Sequence, residues 1–257
     1  MSTFNVTLYL ITAPIGNPDD ITLRALNTLR NCNVLLCEEP RLMRGWLKSW
    51  GVNFYQGIFN KQSELLYVST FDENTDSKEL AYLKQEVLPH VSSVAFMSGS
   101  GCPMFHDPGN KIVKFFRGSN TIYLPGVSSL GSLMMHLPQS RRDFGFRVHG
   151  FLPRDKSLRN ACWEDLINSR QPVFLMETAY RLKVFCDELL KYASNMQIIF
   201  GYALTKSSEQ VFRGKVQKLV PRILSLQKDD FVVFLLPKEV PHSPIKKNDE
   251  LRRQRKK

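Results

Sequence analysis

The feature that most constrains this chain is a recurring unit. A short apolar run leads into a loop of Gly, Pro, Asn or Ser, and a stretch with helical spacing follows. Residues 6–12 form the first such run, closed by Ala13-Pro14-Ile15-Gly16-Asn17-Pro18. Strand-like composition ending in turn residues predicts a strand entering a tight loop. Asp20 or Thr22 can then cap a helix to about residue 30. The unit recurs with strands at 33–37, 93–97 and 121–124 and helices at 41–50, 77–88 and 111–117, the helix at 41–50 ending at Gly51. Such alternation predicts a mainly parallel sheet covered by helices. After Pro125-Gly126 the pattern restarts, with helices at 129–136, 159–169, 179–192 and 217–226 and strands at 144–151, 173–177, 197–204 and 231–236. The expected class is α/β: one domain over residues 1–126, a second over 127–238, and a basic, disordered tail over 239–257.

With 257 residues the chain can build one large core or two smaller ones. Its longest apolar run near the end, residues 231–236, is too short for the roughly 20 residues a membrane helix needs, so no membrane role is expected. The five cysteines are odd in number and form no CxxC pair, which argues against a disulfide framework or a zinc site. No metal is expected, and a reducing, cytoplasmic compartment is. The net charge is +11, of which residues 238–257 carry +5. Such a field suits polyanions such as nucleic acid. A solvated charged surface is the plainer reading.

In open α/β sheets ligands bind beyond the carboxyl ends of the strands. Three loops fall there: residues 13–20, Glu38-Glu39-Pro40-Arg41, and Ser98-Gly99-Ser100-Gly101-Cys102-Pro103 with His106-Asp107-Pro108-Gly109 beyond it. Gly99-Ser100-Gly101 is a fragment of a nucleotide loop without the full GxGxxG, and a plain turn is the simpler reading. No phosphate-loop motif and no GxSxG occurs, which argues against phosphate-loop ATP chemistry and an ordinary α/β-hydrolase. His106-Asp107 is either an acid–base pair or a turn with a capping Asp107. Glu38-Glu39 is either a carboxylate pair or a solvated loop edge.

The ordered combination is more specific than any part. Leu8-Tyr9-Leu10-Ile11-Thr12-Ala13-Pro14-Ile15-Gly16-Asn17 precedes Asp20-Ile21-Thr22-Leu23-Arg24-Ala25-Leu26. Then come Glu38-Glu39-Pro40-Arg41, Gly101-Cys102-Pro103 with Asp107-Pro108-Gly109, and Leu124-Pro125-Gly126-Val127-Ser128-Ser129. Gly150-Phe151-Leu152-Pro153-Arg154, Glu177-Thr178-Ala179-Tyr180-Arg181-Leu182, and Leu204-Thr205-Lys206 with Arg213-Gly214 complete the series. Over residues 6–236 this resembles the ribosomal-RNA small-subunit methyltransferase I family, within the tetrapyrrole-methylase superfamily.

The resemblance implies two α/β domains of the tetrapyrrole-methylase fold, with the active site in the cleft between them, and usually a homodimer. It implies methyl transfer from S-adenosyl-L-methionine to the 2′-hydroxyl of a cytidine in 16S ribosomal RNA, with the small ribosomal subunit as partner. The cofactor positions it implies are Pro14, Gly16, Gly99, Gly101, Cys102, Ser128, Ser129, Met176 and Ala203. Each has a plainer reading: a helix cap for Ser128-Ser129, a core strand residue for Met176, turn punctuation for Pro14 and Gly16. Glu39 occupies the family's acidic position and is the candidate base. Arg41 and Lys206 are the other catalytic candidates, steering or holding phosphate, with Arg154, Lys156, Arg159 and Arg181 widening the basic surface. The chain departs from the family where an Asp is replaced by Gly99, where Asp-Thr becomes Glu39-Pro40, and where a histidine segment becomes Phe59-Asn60-Lys61-Gln62-Ser63-Glu64. Restoring an acid with Gly99→Asp is expected to tighten cofactor binding. Two other readings stay open: a same-fold methylase of a small molecule such as a tetrapyrrole, and a non-catalytic paralogue that binds RNA or a ribosome precursor.

Overall fold

The computed structural model describes residues 5–105, 109–138 and 145–237. Asp107 and Pro108 of the quoted motif, His106, and the basic tail therefore lie outside the described residues. The chain forms two compact units that divide between Ser129 and Leu130.

The first unit is a six-stranded sheet in the order β3-β4-β2-β5-β1-β6, with β1 Thr7–Ile11, β2 Val34–Cys37, β3 Phe54–Tyr55, β4 Leu66–Thr70, β5 Ser93–Met97 and β6 Asn120–Leu124. Every pairing in it is parallel. The central strands VLLC and SVAFM are apolar apart from Ser93 at the start of the second, because helices cover both faces. On one face Ile11, Leu35, Cys37, Ala95 and Met97 pack with Ala25 and Leu29 of α1 (Leu23–Asn31) and with Met43, Trp46 and Leu47 of α2 (Pro40–Ser49). On the other, Leu8, Leu10, Val34, Leu36, Val94 and Phe96 pack with Leu83 and Val87, beyond α3 (Ser77–Tyr82), and with Ile112 of α4 (Gly109–Phe115). Local signals start these helices. The Thr22 hydroxyl accepts from Ala25 N at 3.2 Å, Pro40 opens α2 where its missing N–H costs nothing, and Asp76 with Glu79 forms a capping box. The loops after β1 and β2 therefore leave toward one face and the loop after β5 toward the other. Chain ends that part in this way open a crevice beyond the strands.

The second unit departs from the expected repetition. Its helices are α5 (Ser129–Met134, which crosses the division), α6 (Lys156–Ile167), α7 (Leu182–Ala193) and α8 (Val216–Ile223). Its five strands run in the order β10-β9-β11-β8-β7, with β7 Arg147–Phe151, β8 Val173–Glu177, β9 Gln197–Tyr202, β10 Gln210–Lys215 and β11 Phe231–Leu235. Only β7 and β8 pair in parallel, and β11 lies antiparallel between β8 and β9. The loop from β9 to β10 contains no helix, so the chain turns straight back, as an antiparallel pair allows and a parallel pair does not. Because β8 and β9 both oppose β11, they run the same way. The ends of β7, β8 and β9 and the start of β11 thus share one edge of the sheet. The core beneath holds Trp163, Phe185, Leu189, Phe200 and Val233, each no more than 0% exposed.

Candidate functional site

In the first unit the loops at the carboxyl ends of β1, β2 and β5, with the first turn of α2, carry seven of the expected residues. After β1, Ala13 forms an isolated bridge to Gly101, its N–H donating to the Gly101 carbonyl at 2.9 Å. This ties the loop carrying Pro14 and Gly16 to the loop after β5. Gly101 has φ +68, a left-handed conformation that glycine adopts without strain. Cys102 beside it is exposed. Gly99 sits between two carboxylates delivered from the end of β2. Its N–H donates to Glu38 Oε2 at 2.8 Å, and a Cβ built on it would stand 2.8 Å from Glu39 Oε1. Burial pushes the Glu38 carboxyl above its ordinary range. The Gly99 N–H opposes that shift, while Glu39, Glu73 and Asp72 add to it. Glu39 itself is exposed, as is Arg41 at the second position of α2.

This geometry bears on one expectation. An aspartate at 99 does not enter empty space. Its Cβ meets the Glu39 carboxylate and its charge joins Glu38 and Glu39, so Gly99→Asp displaces Glu39 instead of adding a free acid.

The remaining expected residues belong to the β6 exit and the second unit. Ser128 is exposed, and Ser129 is the first residue of α5. Met176, half-buried, is the fourth residue of β8, paired with Val232 and Phe151. Ala203 is wholly buried and follows β9 with φ 48, and Thr205 has φ 67. Two non-glycine residues in the left-handed region within three positions mark a strained turn held by its surroundings. The holding bonds are Ala203 N to Asp230 O at 2.8 Å and Thr205 N to Glu209 Oε2 at 2.6 Å. Lys206 is braced by Asp229 at 2.5 Å and Asp230 at 3.3 Å. Burial works against its charge, but the two aspartates raise its pKa above the ordinary value.

Arg159 is not part of a basic surface. It is 3% exposed, forked onto Glu188 at 2.6 and 2.8 Å and bonded to Glu177 at 2.7 Å, with Leu152 O and Pro153 O also accepting. Sequence reasoning also missed the Glu38 bond to Gly99 and the Asp229-Asp230 brace; two acids directly before an apolar strand were the available sign of the latter. A cavity of about 500 Å³ lined by Tyr9, Arg24, Asn27, Asn31, Cys32 and Ser93 lies against α1 and the start of β5, away from the loops above. Among the described residues no group of His, Cys, Asp and Glu is placed to hold a metal, and no helix is long and apolar enough to cross a membrane.

A parallel, doubly covered sheet followed by a mixed sheet, with glycine-lined loops at the carboxyl edges, defines a two-unit α/β protein built to receive a ligand on its loops. The chain belongs to the tetrapyrrole (corrin/porphyrin) methylases, whose family model matches residues 7–220. It is 28% identical to ribosomal RNA small subunit methyltransferase I of Rickettsia prowazekii over 83% of this chain and 71% of that protein. It is also 28% identical to the protein of that name from Helicobacter pylori, over 89% of this chain and 82% of that one. Among solved structures it shares its fold with a cobalt precorrin-4 methyltransferase of cobalamin biosynthesis, at TM-score 0.65 and 16% identity over 91% of this chain and 96% of the other. A uroporphyrin-III C-methyltransferase from Thermus thermophilus, complexed with S-adenosylhomocysteine, matches at TM-score 0.56 and 16% identity over 89% and 96%.

Proposed function

We propose that this chain is an S-adenosyl-L-methionine-dependent methyltransferase that methylates the 2′-hydroxyl of a cytidine in 16S ribosomal RNA, working in the cytoplasm as a homodimer on the small ribosomal subunit. Family membership and the rRNA-methyltransferase names of its relatives support the class. The observation that carries the reading is the convergence on Gly99: a loop bridged to the β1 exit, with the exposed Glu39 carboxylate 2.8 Å from where a side chain would begin.

The residues present fit the donor. Gly16, Gly99, Gly101 and the exposed Cys102, with Pro14 beside them, lie on two loops joined through Ala13 and Gly101, and the two carboxylates suit a neighbouring cation. We assign the same cofactor role to Met176 and to Ala203, in its strained turn, and to Ser128 and Ser129 beyond β6. When bound, the donor supplies an electrophilic methyl on a cationic sulfur. Glu39 would take or polarise the proton of the attacking ribose hydroxyl. Arg41 takes phosphate, and Lys206, braced as it is, positions the turn that carries Ala203.

The test incubates the protein with S-adenosylmethionine and small subunits lacking its methylation, and maps 2′-O-methyl groups on the RNA. A new methyl on one cytidine is expected. Cofactor binding without transfer would reassign the acceptor, and no binding at millimolar cofactor would leave a non-catalytic RNA-binding protein.

A further inference from the structure

Outside the loops assigned above, one aromatic side chain stands in solvent on a rigid base. Tyr180 is 83% exposed, in the middle of the turn Ala179–Arg181 that follows β8. The turn is tied down on every side. Arg181 N donates to Thr178 O at 2.9 Å, and Thr178 N donates to Glu177 Oε1 at 2.9 Å. Glu177 Oε2 is gripped by Arg159 at 2.7 Å and Arg181 at 3.3 Å. The ring is thus presented without being packed.

One cation lies against it. Lys228, on the loop before β11, places its ammonium 2.9 Å from the ring centroid and so covers one face. At this exposure the opposite face stays open. The loop after β7 carries exposed Arg154, exposed Lys156 opens α6 directly after it, and Arg159 binds that loop to Glu177 through Leu152 O and Pro153 O. Exposed Lys183 lies in the first turn of α7. The acids on these same loops are engaged: Asp155 caps α6, Glu177 holds arginine, and Asp229 and Asp230 hold Lys206.

We propose that Tyr180 is a stacking platform for an unpaired base of the RNA substrate, with Lys228, Arg154 and Lys156 receiving the flanking phosphates. The proposal rests on the function proposed above for its partner. Proteins that grip single-stranded RNA combine open aromatic faces, which stack on any base, with cations that track the backbone. The face of a protein partner would instead be depleted of charge at its centre. A ring capped by a lysine, on a chain of net charge +11, is complementary to a polyanion that carries bases.

Fluorescence anisotropy on the full chain tests this, using a labelled single-stranded oligocytidylate and, in competition, inorganic polyphosphate, which has charge but no bases. Tyr180→Ala is expected to weaken oligocytidylate binding about 10-fold, within the range for one stacked base, and to leave polyphosphate affinity unchanged. Tyr180→Phe restores the affinity. Lys228→Gln weakens both ligands and flattens the salt dependence. Calorimetry with S-adenosylmethionine verifies that each variant is folded. The proposal is overturned by unchanged oligocytidylate affinity in Tyr180→Ala, by an equal loss for polyphosphate, or by a dimer-to-monomer change in sedimentation. The underlying function fails separately, if the wild-type protein methylates no small subunit.

Discussion

At Gly99 the tolerance for a side chain is set by Glu39 Oε1, 2.8 Å from the Cβ position. Even Gly99→Ala must move that carboxylate. It is therefore expected to lower both cofactor affinity and turnover, with Gly99→Asp the more severe, as read by calorimetry and single-turnover transfer. Glu38 offers a pH test. Its folded pKa is raised, so the folded state binds its proton more tightly than the unfolded chain, and stability is lost as pH rises through the carboxylate range. Glu38→Gln keeps an oxygen for the Gly99 N–H and removes the charge. Thermal melts should show stabilisation at neutral pH that vanishes in acid. Neither effect was legible in the sequence, where Glu38-Glu39 is equally a solvated pair. The contact that distinguishes them spans 61 positions. Arg159 shows the same limit: it reads as a surface base until Glu177 and Glu188, 18 and 29 residues away, enclose it.

Among the elements, the turn after β9 joins sequence to chemistry most directly. The strand stops at Tyr202, two residues short of the expected end, because Ala203 turns left-handed. Asp229→Asn is expected to loosen Lys206 and the turn with it, lowering kcat/KM by up to about 100-fold through misplacement while the melting temperature changes little. Steady-state kinetics beside thermal melts would separate the two. Apolar runs and turn residues made β1, β2, β5, β8 and β11 legible, since buried parallel or central strands need no alternation. The run Leu66–Thr70 carried a strand signal that went unread, and Phe54–Tyr55 is too short to give one. Strand direction in the second sheet was not legible at all, because an apolar run looks the same whichever way its neighbour points.

For the whole molecule, the α/β class and family follow from motif order over nearly the full chain, while the site depends on approaches that order alone does not encode. The second unit is pinned by the Arg159 network, whose Arg159 and Glu177 side chains are each 4% exposed. Arg159→Met is expected to leave Glu188 without its cation and the buried Glu177 with Arg181 alone, and to cost about 3–5 kcal/mol, measurable by urea denaturation.

The position of β11 carries a consequence for how the chain is made. It is the last described strand in the sequence, yet it occupies the centre of its sheet, between β8 and β9. As the polypeptide emerges during translation, the six-stranded sheet has all its strands once β6 has passed. The five-stranded sheet lacks its middle until Phe231–Leu235 arrives, so Tyr202, Glu177 and their neighbours wait with open edges until then. Among the described residues, the edge that carries Met176, Ala203 and Tyr180 is the part assembled last.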